Sequence, residues 1–280
     1  MATQAHDSEP DGALALPCDS CPVENACRMP NHLVALADLG PHHPLDQQSV
    51  QRGHLLMRDS EDSHDLWIIV AGLAVIQYVL PDGRRQILDF RFPGEILCPG
   101  LIGQHSELSA QTVCKTRLCH INGRDLAEIA VHRPKLVEEL FDIACAQIKR
   151  ANLQMLLLGR LSAAERMATF LLEMAERAGR PRRNGVEIEL PMNRDDIANF
   201  LGLNPETVSR SLTRLKKSGV IGLPQPGRAV LCDVDALQAA TPFPEGHRPF
   251  VEKSGIHRDM VRPRGSVCPI HGTHNGHQNG

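Results

Sequence analysis

The spacing of apolar positions changes character twice along this chain. Between about residues 54 and 123, apolar residues alternate with polar ones or run in short β-branched stretches broken by Gly and Pro, the pattern of half-buried strands. Asp65–Gly72 is an apolar strand ending at a glycine, and Leu73–Leu80 is a second. Arg84–Phe90 alternates after the turn Pro81-Asp82-Gly83, Phe92-Pro93-Gly94-Glu95 turns again, and Gln111–Ile121 reads as one late strand carrying Cys114 and Cys119. Several short strands with Gly/Pro turns predict a small barrel or roll. From Pro134 to Leu158 the period becomes helical. Val137, Phe141, Ala144, Ile148, Ala151, Met155 and Leu158 are spaced 4, 3, 4, 3, 4, 3, an a/d seam with no acidic residue on it. Part of such a stripe can pack on the chain's own roll. Strict a/d spacing nevertheless favours a partner helix, so the seam is expected to pair two copies of the chain.

Past the seam, Gly159 reads as a hinge. Ser162-Ala163-Ala164-Glu165 is a capping box opening a helix that turns Met167, Phe170, Leu171 and Met174 inward and ends at Gly179. Val186–Leu190 alternates as a strand. Residues 193–217 then predict two short helices joined by a tight turn. Asn193 caps the first, with Asp195 and Asp196 at its positive end. Gly202 supplies the positive φ of a sharp helix end. Asn204 is placed to cap the second helix, Pro205 takes its first position, and Arg214, Lys216 and Lys217 crowd its last turn before Ser218-Gly219. On this second helix Val208, Leu212 and Leu215 share one face, while Glu206, Ser209, Arg210 and Thr213 share the other. A helix-turn-helix places such a polar face in the DNA major groove, where Arg pairs with guanine and Glu accepts from the cytosine amine. An ordinary amphipathic helix with a solvated face has the same pattern. Val220-Ile221 and Ala229-Val230-Leu231 flank a Pro/Gly loop and predict a small hairpin, a wing.

At 280 residues the chain has room for about two domains. No apolar run approaches the ~20 residues of a membrane span. Met1–Pro10 is polar and acidic, unlike a secretory signal, so a cytoplasmic protein is expected. A net charge of −3 gives no hint of nucleic acid, but residues 160–231 carry twelve Lys and Arg against eight Asp and Glu. A basic half on an acidic chain suits a phosphate-binding module. No Ser/His/Asp constellation, H-E-x-x-H or phosphate-binding Gly loop is present, which argues against an enzyme. Of nine cysteines, Cys18, Cys21 and Cys27 form a C-x2-C-x5-C run. Thiolates so spaced hold zinc or an iron–sulfur cluster, and three are one short of either. Residues 1–17 and 241–280 read as disordered; the tail's Cys268, His271, His274 and His277 are metal-ligand types in a segment whose composition is more often without such a role.

A roll, a seam helix and a winged helix-turn-helix, in that order, resemble the CRP/FNR family of bacterial transcription regulators over roughly residues 31–240. The likeness rests on the Gly72 strand end, the Gly83-Arg84-Arg85 hairpin, Pro93-Gly94-Glu95, the seam and the helix-turn-helix. It implies an α+β fold: a cysteine-bearing segment (1–30), a cyclic-nucleotide-binding-like β-roll (31–133), a dimerisation helix (134–159), a winged helix-turn-helix (160–240) and a tail (241–280). In the cyclic-nucleotide branch an Arg-Ser-Ala run holds the phosphate. Leu108-Ser109-Ala110 stands there here, and a leucine cannot neutralise a phosphate, so cyclic AMP is not an expected ligand.

The cysteines resemble the FNR (fumarate–nitrate reductase regulator) branch, in which four thiolates hold an oxygen-labile [4Fe–4S] cluster. This likeness implies Cys18, Cys21, Cys27 and Cys119 as ligands. Cys119 fits the family position, just before a strand end and a helix start, better than Cys114 does; five apart in one continuous strand, the two point to opposite faces. Glu206-x-x-Ser209-Arg210 resembles the motif that reads TTGAT half-sites in an inverted repeat, with Arg210 on the guanine, Glu206 on its cytosine and Ser209 at a thymine. The implied protein is an oxygen-responsive activator working as a homodimer on double-stranded DNA, with RNA polymerase as a partner by family analogy. Two other readings stay open: the same fold with zinc or no metal on its cysteines, and a thiol-redox or electron-transfer protein.

Overall fold

The structure, a computed structural model, describes residues 46–57, 65–97, 108–132 and 134–243. Cys18, Cys21 and Cys27, the stretch Leu33, Leu36 and Leu39, whose spacing predicts a short helix, and the tail's Cys268, His271, His274 and His277 lie outside the described residues. The fold is α+β, and the chain divides into two compact units: the first holds residues up to Ala74 together with Arg91–Phe141, the second Val75–Phe90 together with everything from Asp142 onward. The hairpin Val75–Phe90, within the stretch whose alternation marks the roll, thus groups with the helices that follow.

In the first unit, β1 (Asp46–Val50), β8 (Thr116–Ile121), β3 (Leu66–Ala71) and β6 (Ile96–Leu97) form an antiparallel sheet in that order, and β2 (Leu55–Met57) pairs with β7 (Leu108–Thr112). Leu66, Ile69, Leu118 and Ile121 are fully buried, as the apolar runs require. Gly72 has φ 97°, and a Cβ there would stand 2.6 Å from Thr116 Oγ1 and 2.7 Å from the Lys115 carbonyl, so only glycine fits this corner. Leu73 then ties the fold-back: its N–H donates to Thr116 Oγ1 (3.3 Å) and its carbonyl accepts from Val113 N–H (3.0 Å). Those bonds divide the single late strand expected over Gln111–Ile121 into β7 and β8, with Cys114 in the turn between them. The argument from opposite faces of one strand therefore does not apply to Cys114 and Cys119. α1 (Gly123–His132) follows β8.

α2 (Pro134–Arg160) is one continuous helix, and its range agrees with the seam. It does not break at Gly159: the Leu161 N–H still reaches the Leu157 carbonyl (3.2 Å), and the break falls at Leu161–Ser162. No helix among the described residues is long and apolar enough to cross a membrane.

In the second unit, β4 (Ala74–Val79) and β5 (Arg85–Arg91) are neighbouring strands, followed in sequence by the rest of α2 and by α3 (Ala163–Ala178). α3 opens with the expected box: Ser162 Oγ accepts from Glu165 N–H and Glu165 Oε2 accepts from Ser162 N–H (2.7 Å). Met167, Phe170, Leu171 and Met174 are buried as read. A second sheet runs β11 (Ile221–Gly222), β12 (Arg228–Leu231), β10 (Gly185–Glu189), β9 (Arg180–Arg182). β9 and the final helix α6 (Val234–Ala239), capped by Asp233, add to the elements that the sequence pattern predicts. Phe90, Phe170 and Phe200 form the aromatic centre, with ring centroids 5.0–6.3 Å apart. Beside them Asp89 accepts from Arg150 and Arg177 (3.2 Å each), and Arg177 donates to Glu173 (2.7 Å). Burial pushes the Glu173 carboxyl up to about 7; Arg177 pulls the other way and is outweighed.

Candidate nucleic-acid interface

The helix-turn-helix is built from α4 (Arg194–Leu201) and α5 (Pro205–Lys217). α4 starts with a reciprocal cap. Asn193 Oδ1 accepts from Asp196 N–H (2.7 Å), and Asp196 Oδ2 accepts from Asn193 N–H (3.1 Å). Asp196 is buried, and its Oδ1 is ion-paired with Arg85 on β5. Arg194, first in α4, is half-buried, and that burial lowers its pKa. Gly202 ends α4 in the left-handed conformation (φ 61°, ψ 40°). A Cβ on Gly202 would come within 2.9 Å of Leu158 Cδ2 and 3.3 Å of Arg166 Nη1, so those two flexible side-chain ends would have to shift, and the left-handed φ is what favours glycine here.

α5 begins as read at Pro205 but is not capped as expected. Asn204 makes no side-chain bond to the helix backbone; its Oδ1 instead accepts from the Thr207 hydroxyl (3.3 Å), a residue on the same turn whose own side chain competes for it. Val208 and Leu212 are buried and Leu215 half-buried, which leaves Glu206, Ser209, Arg210 and Thr213 together on the exposed face. There Arg210 Nη1 lies 3.3 Å from Glu206 Oε1, and Nη2 lies 3.5 Å from Thr207 Oγ1. Thr213 Oγ1 donates to the Ser209 carbonyl (2.8 Å). An exposed i,i+4 pair stabilises by only about 0.3–0.5 kcal/mol. So weak a pair leaves the exposed guanidinium free to exchange partners at little cost. Arg214, Lys216 and Lys217 are exposed at the negative end of the helix, where phosphate-seeking cations are also favoured locally. On the adjoining sheet Arg182 bonds Glu187 (2.6 Å), and Arg228 lies 3.6 Å from Glu187 and Glu189.

The seam on α2 is open over most of its length. Val137, Phe141, Ile148 and Met155 are each more than half exposed, Ala151 is exposed and Ala144 half-buried. Leu158 is half-buried, because its end of the helix leans on the chain's own turn at Gly202.

Cys119 is buried in β8, while Cys114 is half-buried in the turn before it. The register Asp46↔His120 and Gln47↔Cys119 means that the chain enters the sheet, at the start of β1, beside Cys119. Cys114 lies past Thr116, off the opposite end of β1. The corner after Cys119 is braced: His120 Nε2 is 3.0 Å from Asp65 Oδ2, its ring stacks on Trp67 (5.1 Å), and Asp65 Oδ1 accepts from Gly123 N–H (2.9 Å). Among the described residues no three His, Cys, Asp or Glu side chains cluster as a metal site. Leu108 is half-buried in β7.

Two family models match the chain: a cyclic nucleotide-binding domain over residues 47–133 and a Crp-like helix-turn-helix domain over residues 165–240. The nitrogen fixation regulation protein FixK of Azorhizobium caulinodans is 38% identical over 188 residues, covering 67% of this chain and 75% of that protein. The transcriptional activatory protein AadR of Rhodopseudomonas palustris is 34% identical over 239 residues, 81% of this chain and 99% of its own length. The fumarate and nitrate reduction regulatory protein of Salmonella typhimurium is 28% identical over 221 residues, 76% and 85% of the two chains. The solved structure of FixK2 from Bradyrhizobium japonicum superposes with a TM-score of 0.65 at 31% identity, covering 71% of this chain and 98% of that one.

Proposed function

Because the chain belongs to the CRP/FNR family and is a DNA-binding transcription regulator rather than an enzyme, we propose that it is the oxygen-responsive kind, a cytoplasmic activator working as a homodimer on TTGAT inverted repeats. The observation that supports the oxygen part is the register of β1 on β8, in which Asp46 and Gln47 pair with His120 and Cys119 while Cys114 lies beyond the Val50↔Thr116 end. Four thiolates are the donor set of an iron–sulfur cluster. A [4Fe–4S] cluster on Cys18, Cys21, Cys27 and Cys119 would supply the oxygen lability.

The chain's own residues do the rest. The Asp65–His120–Trp67 brace fixes the corner that follows Cys119. Val137, Phe141, Ala144, Ile148, Ala151, Met155 and Leu158 line the seam for a second copy. Burying the remaining half to two-thirds of Val137, Phe141, Ile148 and Met155 contributes about 1–2 kcal/mol each, before the cost of association. Pairing the seams sets two α5 helices one DNA turn apart, ~34 Å. Arg210 then reads a guanine, Glu206 its cytosine and Ser209 a thymine, with Thr213 beside them; the surrounding cations hold phosphates without reading sequence. Loss of order around Cys119 shifts the population away from the paired, DNA-competent state. Cyclic AMP has no part in this reading, since Leu108 offers a phosphate no charge, and RNA polymerase enters as a partner by family analogy.

The test is visible absorption with iron and sulfide content of protein purified without oxygen, repeated after air. A brown protein with about four irons per chain that bleaches in air supports the reading. A colourless protein holding zinc contradicts the oxygen response while leaving DNA binding in place.

A further inference from the structure

The last turn of α4 is held in an unusual way. A helix ends with carbonyls that lack intrahelical donors, and water or a local C-terminal motif generally serves them. Here three side chains from three separate elements do so. Gln86 Nε2, on β5, donates to the Asn199 carbonyl (2.6 Å). Gln154 Nε2, on α2, donates to the Phe200 carbonyl (2.6 Å). Arg166 Nη1, on α3, donates to the Leu201 carbonyl (2.9 Å) and lies 3.4 Å from that of Gly202. The same guanidinium serves the end of α2, through Nη2 to the Leu158 carbonyl (2.8 Å) and Nε to the Leu161 carbonyl (2.9 Å). One arginine thus joins the C-terminal ends of the seam helix and of the first reading-head helix.

We propose that this carbonyl socket sets the angle at which α5 is presented, making Gln86, Gln154 and Arg166 positioning residues for operator recognition although none lies on the polar face of α5. Three further observations support it. Gln154 is almost fully buried, and its own Oε1 has no partner among the described residues. A buried amide oxygen left unpaired is unfavourable, and an apolar residue of equal size avoids that cost, so the donor is what the site uses. The missing Cβ of Gly202 leaves the space into which Leu158 and Arg166 reach. Only Leu203 and Asn204 separate Gly202 from the start of α5, and α5 itself buries only Val208 and Leu212 fully. The direction of α5 is therefore set in part by the end of α4, alongside the packing of α5 on α3 and β11.

The inference rests on the dimer reading above, because an angle matters most when two reading heads must meet two half-sites at a fixed separation. The test uses the full chain purified without oxygen and four kinds of duplex: a TTGAT inverted repeat with half-sites one turn apart, versions with one or two base pairs added between the half-sites, versions with one or two removed, and a single half-site. Arg166→Met keeps the apolar stem and removes every donor; Gln154→Met does the same for the amide. Each is expected to keep single half-site affinity within about twofold, to lose at least about tenfold on the correctly spaced repeat, and to flatten the dependence on spacing. Arg166→Lys cannot fork to two helix ends and should fall between. It also keeps the test alive if the methionine variant does not fold. A wild-type spacing profile in these variants overturns the proposal, and so does an equal loss on half-site and full site, which marks a structural role alone. A wild-type chain indifferent to spacing overturns the dimer reading itself, and this proposal with it.

Discussion

The two helices of the reading head are built in opposite ways. α4 has eight residues, five of them buried, and both its ends are bonded to other elements: Asp196 to Arg85 at the start, three carbonyls to Gln86, Gln154 and Arg166 at the finish. α5 has thirteen residues with two fully buried, no side-chain cap to its backbone, and polar contacts that stay within the helix or its cap residue. One helix is an anchor and, in the function proposed, the other is the reader. Bonds that hold α4 would be wasted on α5 if, as proposed, its side chains release one another to meet DNA. The division puts stability and specificity on separate residues, so single substitutions can tell them apart.

The largest effect should come from the anchor's core. Phe200→Ala removes one ring of the Phe90–Phe170–Phe200 group and is expected to cost about 3–5 kcal/mol in urea unfolding, taking DNA binding with it. Asp196→Ala removes a cap and leaves the half-exposed Arg85 without this partner, for about 2–4 kcal/mol, whereas the exposed neighbour Asp195→Ala should change stability by less than about 0.5 kcal/mol. Equal costs for the two aspartates would erase the anchor. Glu173 makes a pH prediction. Its carboxyl is raised from an ordinary 4.5 to about 7, so the folded chain keeps a proton that the unfolded chain has released. That contribution is fully present below about 4.5 and is lost as pH rises to about 7, a fall on the order of 3 kcal/mol. Urea midpoints against pH should show this slope in the wild type and not in Glu173→Gln. The smallest contrast is between the caps: Asn193→Ala should cost about 1 kcal/mol, while Asn204→Ala, with no backbone cap to lose, should stay within about 0.5 kcal/mol.

The reader was legible because its signals are local. Pro205, Gly202, the 3.6 period of Val208 and Leu212, and the polar face at Glu206, Ser209, Arg210 and Thr213 all lie within a dozen residues of one another. The capping box at Ser162 and the extent of α2 are local for the same reason. The anchor was not legible. Arg85 meets Asp196 across 111 positions and Gln86 meets Asn199 across 113, and nothing in a polar strand residue announces a distant helix end. Asp196 looked like a charge for the helix dipole and turned out also to be a cap and a buried ion-pair partner. The division of Gln111–Ile121 failed differently: residues 108–112 and 116–121 both suit strands, and only the contact of Leu73 with Thr116 shows that the chain turns between them. β9 escaped because Arg180-Pro181-Arg182 has no apolar alternation; its side chains meet Glu187 and Glu189 on β10 instead. Leu158 fits the seam period, and only the structure shows it leaning on Gly202.

Base reading by Arg210 is the proposal on which the rest depends, and binding of wild type and Arg210→Ala to two duplexes decides it: the TTGAT inverted repeat, and the same repeat with each G·C pair replaced by A·T. The wild type should lose about 1–3 kcal/mol per replaced pair. The variant should bind both duplexes weakly and equally. A variant that still prefers the G·C duplex by the wild-type margin would contradict the claim.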